Sequence, residues 1–169
     1  AIARRVCAKA KAFGFHVVAS DPFATPAAFD EQGAERVDLD TLIQTAEVIS
    51  LHCPLLPETK HLIRRETIDK MKRGAIIVNT ARGPIIDERA LIRALKAKKI
   101  AGAGLDVFEF EPKVSGVLRK MKNVVLAPHL GSATVEVRED MANTVVDNIQ
   151  ALLEGRTPPN CVNPEVLRK

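Results

Sequence analysis

In the first half of the chain, segments with apolar residues at helical spacing alternate with short, mostly apolar runs. The first pattern indicates helices and the second indicates strands. Residues 1–13 have helical spacing, because one helical face collects Ile2, Val6, Ala10 and Phe13. Gly14 follows directly and is expected to end this helix. The apolar run 15–21 predicts a strand that stops at Pro22, since proline has no amide hydrogen for a central ladder. A shorter strand at 34–37, a helix at 39–46 and a strand at 47–54 are predicted next.

The second half of the chain repeats this alternation. Residues 58–71 predict a helical or irregular segment, and the apolar run 75–81 predicts a buried strand. Asp87 is well placed to cap a helix over 88–99, because an aspartate before a helix can accept a free amide of the first turn. The inward stripe of that helix is predicted to carry Leu91, Ala94 and Leu95.

The last part of the chain decides the fold class. Strands are predicted at 101–108 and 123–128, and a final helix runs from about residue 134 to residue 154 before Gly155. One face of that helix carries Val137, Met141, Val145, Ile149 and Leu152. Strands that alternate with helices predict an α/β fold, a doubly wound parallel sheet of the Rossmann-like type, with strands covered by helices on both sides. We expect one domain over residues 1–155 and a C-terminal extension over 156–169.

The beginning of the chain lacks two parts of a dinucleotide-binding unit. Such a unit opens with a strand and a GxGxxG turn, and an acidic residue about 20 positions later bonds the ribose hydroxyl. Asp21 occupies the acidic position, and no glycine turn precedes the first helix. We therefore expect the central first strand and the phosphate loop to be missing, and the cofactor to be NAD, since an acidic side chain repels the 2′-phosphate of NADP. The alternative for Asp21 is an ordinary turn residue before Pro22.

Composition narrows the class of partner. The net charge of +4 is weak evidence for nucleic acid, because basic residues are spread among 21 acidic ones, and tryptophan and tyrosine are absent. No apolar run approaches the roughly 20 residues of a membrane helix, so we expect a cytoplasmic protein. Three dispersed cysteines indicate neither a disulfide framework nor a metal site.

Polar residues follow the apolar strands in three stretches, 79–83 (NTARG), 105–112 (LDVFEFEP) and 127–134 (APHLGSAT). Open parallel sheets bind their ligands at these strand ends. Together with 50–63 (SLHCPLLPETKHLI), the stretches resemble the D-isomer-specific 2-hydroxyacid dehydrogenase family in order and spacing, from Ala1 to about Pro164.

The resemblance implies three catalytic residues. Arg82 would bind the substrate carboxylate and carbonyl, for which a planar and permanently charged guanidinium is suited. His129 would protonate the carbonyl oxygen, because histidine can act as acid or base near neutral pH. Glu111 would pair with His129, orient its ring and favour its protonated form. Glu109 is interpreted as a solvated loop residue, and the glutamate at 111 disfavours formate dehydrogenases, which carry glutamine there.

The resemblance also implies cofactor contacts. Asp106 would meet the nicotinamide carboxamide, although a loop-capping role is the alternative. The other predicted cofactor residues are Cys53, Pro54, Asn79, Thr80, Ala81 and Gly131, in addition to Asp21. No catalytic place is implied for His16, His52 or His61.

The implied function is hydride transfer between NAD(H) and a small 2-hydroxy or 2-keto acid, by a homodimeric enzyme. An NAD-sensing corepressor on the same fold remains an alternative. Members of the family carry a substrate domain that this chain does not contain, and residues 156–169 would return toward it. We therefore expect the isolated chain to be inactive and to bind NAD weakly, and the identity of the acid is left open.

Overall fold

The computed structural model describes residues 2–167, which fold into alternating helices and strands. The helices are α1 (Ile2–Ala12), α2 (Pro26–Asp30), α3 (Leu39–Thr45), α4 (Arg65–Lys70), α5 (Glu88–Lys96) and α6 (Val135–Leu153). The strands are β1 (Val18–Ala19), β2 (Glu35–Arg36), β3 (Val48–Leu51), β4 (Ala75–Asn79), β5 (Ile100–Leu105) and β6 (Val124–Leu126). Short 3₁₀ turns occupy Gly83–Ile85, Leu118–Lys120 and Pro164–Leu167. The predicted alternation is confirmed, although α2 and the 3₁₀ turns were not expected.

Every strand pairing in the described chain is parallel. Strands β3, β4, β5 and β6 form one sheet in that order, and β1 pairs with β2 in a second sheet. The predicted strands at 15–21 and 34–37 are shorter than expected, because the β1–β2 ladder is limited to Val18 with Glu35 and Ala19 with Arg36. Within residues 2–167, β1 and β3 therefore each have one hydrogen-bonded strand neighbour.

Helices α3, α4 and α5 pack on one face of the four-stranded sheet and form the main core. Asp87 caps α5 as predicted, since its carboxylate accepts the Ala90 amide at 2.9 Å. Leu91 and Leu95 of α5 are buried against that face, as is Ile77 of β4. Burial of each such side chain stabilises the fold by about 1.5–3 kcal/mol. On the other face of the sheet Val48 and Ile76 keep 45% and 40% of their surface exposed.

The described residues divide into two compact units, residues 2–128 and residues 129–167. The longest element of the second unit is α6, which Thr134 caps by accepting the Val137 amide at 3.3 Å and which ends before Gly155 with φ of 70°. The predicted apolar stripe of α6 is present but exposed, for example 57% at Val145 and 59% at Leu152. The predicted limits 1–155 and 156–169 stay a prediction. No helix among residues 2–167 is both long and apolar enough to cross a membrane.

Candidate functional site

Apart from Asp21, which comes after β1, the predicted site residues of the first unit lie at or after the ends of β3, β4 and β5. Cys53 and Pro54 come after β3, residues 79–83 begin at the last residue of β4, and residues 105–112 begin at the last residue of β5. Because these strands are parallel, their carboxyl ends lie at the same edge of the sheet. The fold therefore brings three of the predicted stretches to one edge.

Asn79 shapes the turn that carries Arg82. Its side chain is buried, with 1% of the residue exposed. Its amide nitrogen donates to the Arg82 carbonyl at 2.9 Å, and its Oδ1 accepts the Ala81 amide at 3.0 Å. Both ends of the turn are thus held by one side chain. Thr80 is exposed at the tip of the turn, and contact of Asn79, Thr80 and Ala81 with a ribose stays a prediction.

Arg82 presents its guanidinium to solvent from this turn. The residue is exposed, and Nη1 donates to the Ala81 carbonyl at 2.7 Å. The remaining guanidinium donors form a planar fork that suits a carboxylate. An accessible cation on a fixed backbone can bind a carboxylate.

Gly83 lets the Arg82 turn lie directly against the loop that follows β5. A Cβ atom at this position would stand 1.8 Å from the Phe108 carbonyl oxygen and 2.6 Å from the Glu109 nitrogen. No side chain larger than hydrogen fits that space. The amide of Asp106 also donates to the Asn79 carbonyl at 3.0 Å. The two predicted stretches are therefore packed backbone to backbone.

The loop after β5 carries Asp106 and Glu111 in different environments. Asp106 is buried, with 9% of the residue exposed. Glu111 is exposed and its Oε1 accepts the Phe108 amide at 2.9 Å, and the peptide bond between Glu111 and Pro112 is cis. The bond to Phe108 orients the Glu111 carboxylate within its own loop.

The prediction that Glu109 is a solvated loop residue is wrong. Only 11% of its side chain is exposed. One carboxylate oxygen accepts a hydrogen bond from Nε2 of His61 at 2.7 Å, and the other accepts one from the backbone amide of Glu88 at 2.9 Å. Glu88 returns the contact, because its Oε1 accepts the Glu109 amide at 2.7 Å. Sequence reasoning missed this cluster, since its members lie 21 and 48 residues apart along the chain.

Burial affects two titratable side chains at the end of β3. It lowers the pKa of His52, whose Nε2 lies 3.0 Å from the Ser50 hydroxyl. It raises the pKa of the Cys53 thiol, and the charge of Asp21 adds to that rise. Asp21 thus lies close enough to act on Cys53 electrostatically. Both effects favour the protonated form of the thiol.

Asp21 has the role of a turn residue in the structure. Its Oδ1 accepts the Phe23 amide at 2.9 Å, and the residue is exposed. A turn residue is the alternative that the sequence left open for Asp21. The hydrogen bond from Phe23 uses one of its two carboxylate oxygens. A contact with a ribose stays a prediction.

His129 and Gly131 belong to the second unit. His129 is exposed and has φ of 55°, a left-handed conformation that is uncommon for residues other than glycine. Such a conformation costs about 1–3 kcal/mol and is frequent at functional positions. Its pairing with Glu111 stays a prediction, as does the cofactor role of Gly131.

An open groove of about 590 Å³ lies beside the Glu109 cluster. Leu55, Leu56 and Pro57 line it, together with Pro84 and Phe110. Its wall is mainly apolar, and Lys60 and Glu109 add one charge of each sign. The groove borders the segments that carry Arg82 and Glu111.

Comparison with known proteins identifies the family. Residues 1–131 match the family model described as D-isomer specific 2-hydroxyacid dehydrogenase, NAD binding domain. The chain belongs to this family. The recognised resemblance, the Rossmann-like fold class and the NAD-binding character of the domain are thereby confirmed.

Three relatives illustrate the match. A glyoxylate reductase from Thermococcus litoralis is 49% identical over 166 residues, which cover 98% of this chain and 50% of the relative. The crystal structure of a glyoxylate reductase from Paecilomyes thermophila has a TM-score of 0.82 at 39% identity, covering 89% of this chain and 46% of that one. A Lactobacillus jensenii D-lactate dehydrogenase with NAD⁺ has a TM-score of 0.81 at 32% identity, covering 92% of this chain and 51% of that one. The chain thus spans about half the length of these relatives.

Proposed function

We propose that the protein carrying this chain transfers hydride between NAD(H) and a small 2-keto or 2-hydroxy acid. The observation that carries the proposal is the exposed Arg82 guanidinium, which lies on a turn whose backbone is hydrogen-bonded by the Asn79 side chain. A small acid bound there would lie at the carboxyl edge of the sheet, beside the loop of Asp106 and Glu111. The names of the similar proteins, glyoxylate reductase and D-lactate dehydrogenase, support this class of substrate.

The residues present fit the dinucleotide. The charge of Asp21 acts on Cys53 at the end of β3, and Asp106 carries a buried carboxylate at the carboxyl edge of the four-stranded sheet. Asp21 would bind the adenosine ribose and favour NAD over NADP, while Asp106, with the backbone near Asn79 and Gly131, would orient the nicotinamide end. When bound, the nicotinamide supplies or accepts the hydride.

The chain's own residues would bind the acid and move its proton. Arg82 would hold the carboxylate and polarise the neighbouring carbonyl, because its charge is permanent. His129 would donate a proton to the carbonyl oxygen during reduction and accept it back during oxidation. Glu111 would stabilise the protonated ring of His129.

Arg82 provides the direct test. In the protein that carries this chain, oxidation of NADH should follow addition of glyoxylate, hydroxypyruvate or pyruvate. Replacing Arg82 with glutamine should raise the KM for the acid and lower kcat, while Arg82→Lys should restore only part of both, since an ammonium cannot bind a carboxylate in a bidentate manner. The matched control is Arg93→Gln, which removes an exposed arginine from the last turn of α5. Normal kinetics in Arg82→Gln would contradict the proposal.

The enzyme is favoured over a corepressor because the similar proteins bear the names of reductases and dehydrogenases. We further propose a cytoplasmic homodimer. The free cysteines Cys7, Cys53 and Cys161 fit a reducing compartment, and the dimer rests on the family resemblance. Sedimentation velocity of the protein that carries the chain, and fractionation of cells that express it, test the two statements. Sedimentation as a monomer at micromolar concentration would refute the dimer.

A further inference from the structure

Two carboxylates form a reciprocal clasp between the start of α5 and the loop after β5. Glu109 accepts the Glu88 amide at 2.9 Å, and Glu88 accepts the Glu109 amide at 2.7 Å. Both residues are largely shielded from water, with 5% of Glu88 and 11% of the Glu109 side chain exposed. Buried hydrogen bonds to a carboxylate are stronger than neutral ones, so this contact is a firm link between two segments.

His61 extends the clasp to the Arg82 turn. Its Nε2 donates to Glu109 at 2.7 Å, and its own backbone amide donates to the Pro84 carbonyl at 2.9 Å. Pro84 stands two residues after Arg82 in the chain. One histidine therefore bridges the segment of Arg82 and the loop of Glu111, which the close approach at Gly83 already brings together.

Both oxygens of Glu109 are used, and each serves a different segment. One accepts from His61, and the other accepts from the start of α5. The backbone of Glu109 lies between Asp106 and Glu111, so its hydrogen bonds to His61 and Glu88 tie that loop to both segments. Neither Glu109 nor His61 has a place in the proposed proton transfer or in carboxylate binding.

We propose that Glu109 is a positioning residue. Together with His61 and Glu88 it fixes the position of Arg82 relative to the Glu111 loop, as hydride transfer requires. The inference rests on the proposed function, because it assigns the clasp to that reaction. A clasp that only stabilised the fold would affect unfolding and leave the kinetics of the folded protein unchanged. A positioning clasp must also change kcat, since small displacements of binding groups slow a reaction strongly.

The experiment compares Glu109→Ala and Glu109→Gln with a control of the same chemistry. Glu35→Gln is that control, because Glu35 pairs with His16 at 3.0 Å on an exposed surface. In the protein that carries this chain, well below each melting temperature, Glu109→Ala should lower kcat by about 10- to 100-fold. The KM for NADH should change less than kcat, because the hydrogen bonds of the clasp are made to Glu88, His61 and Pro84 and not to the predicted cofactor residues. Glu109→Gln should retain an intermediate kcat, since its one carbonyl oxygen can replace only one of the two acceptors.

Amide NMR signals give a second readout that does not depend on turnover. Glu109→Gln should shift the signals of Arg82 and Glu111, and Glu35→Gln should not. Wild-type protein without turnover would refute the proposed function, and the positioning role would then be judged by these signals alone. A normal kcat in Glu109→Gln, or unchanged Arg82 and Glu111 signals, would overturn the inference. If Glu109→Ala fails to fold, His61→Gln replaces it and should lower kcat in the same direction.

Discussion

The Arg82 turn and the α6 unit are anchored in opposite ways. The turn is held by a buried asparagine, by the Gly83 contact and by the Glu109 cluster. In the described part of the second unit, residues 129–166, Ala151 is the residue that is fully buried. Hydrogen bonds and packing within residues 1–128 therefore determine where Arg82 lies. The apolar stripe of α6 gains little stability from burial in this chain.

His129 in the second unit should be the most sensitive residue for turnover. His129→Gln should lower kcat by about 100- to 10,000-fold, because general acid catalysis contributes about that much. Binding of NADH should change little. Stopped-flow kinetics and fluorescence titration of the protein that carries the chain measure the two quantities. His16→Gln removes an exposed histidine and serves as the control, and near-normal turnover of His129→Gln would end the assignment.

Two leucines test the difference in burial directly. Leu91 is 0% exposed in the core of the first unit, and Leu152 of α6 is 59% exposed. Leu91→Ala should lower the free energy of unfolding of the 169-residue chain by about 2–5 kcal/mol. Leu152→Ala should change it by less than about 0.5 kcal/mol. Urea unfolding followed by circular dichroism measures both, and equal losses would show that α6 is as well packed as the sheet.

Gly83→Ala should disturb the contact between the Arg82 turn and the loop after β5. The added methyl group would collide with the Phe108 carbonyl, so the free energy of unfolding should fall by about 1–3 kcal/mol or more. Gly116→Ala is the control, because its nearest neighbour would be the end of the Arg119 side chain at 3.7 Å. Thermal melts of the two variants give the comparison. A Gly83→Ala chain as stable as Gly116→Ala would mean that the two segments are not in close contact.

The smallest effect is expected from the ionisation of Glu88. Burial raises the pKa of Glu88, and the negative charge of Glu109 adds to the rise. The protonated form of Glu88 therefore contributes its full stabilisation below the usual carboxyl pKa. That contribution is lost as the pH rises through the raised pKa. Glutamine does not ionise, so urea unfolding at a series of pH values should show Glu88→Gln gaining stability relative to wild type as the pH rises above the usual carboxyl pKa and through the raised pKa of Glu88. A difference in unfolding free energy that is independent of pH would contradict this expectation.

Local patterns predicted most of the elements but not α2, and α5 and α6 show why the prediction succeeded where it did. The Asp87 cap and the Gly155 terminus involve residues within a few positions of each other, so their chemistry is readable along the chain. The lengths of β1 and β2 were overestimated because a strand extends only as far as its partner does. The apolar stripe of α6 was predicted correctly, but a helical period does not reveal whether a face is covered.

The sequence by itself indicated most of the elements in their order and the family, because periodicity and motif spacing are local properties, and the roles of Arg82, Glu111 and His129 stay predictions. Tertiary structure alone decided the environment of Glu109. Its partners are 21 and 48 residues away, and only folding brings their hydrogen-bonding groups to one place. Tertiary structure also decided the role of Gly83. A glycine is needed there because the backbone of another segment approaches it too closely for a side chain.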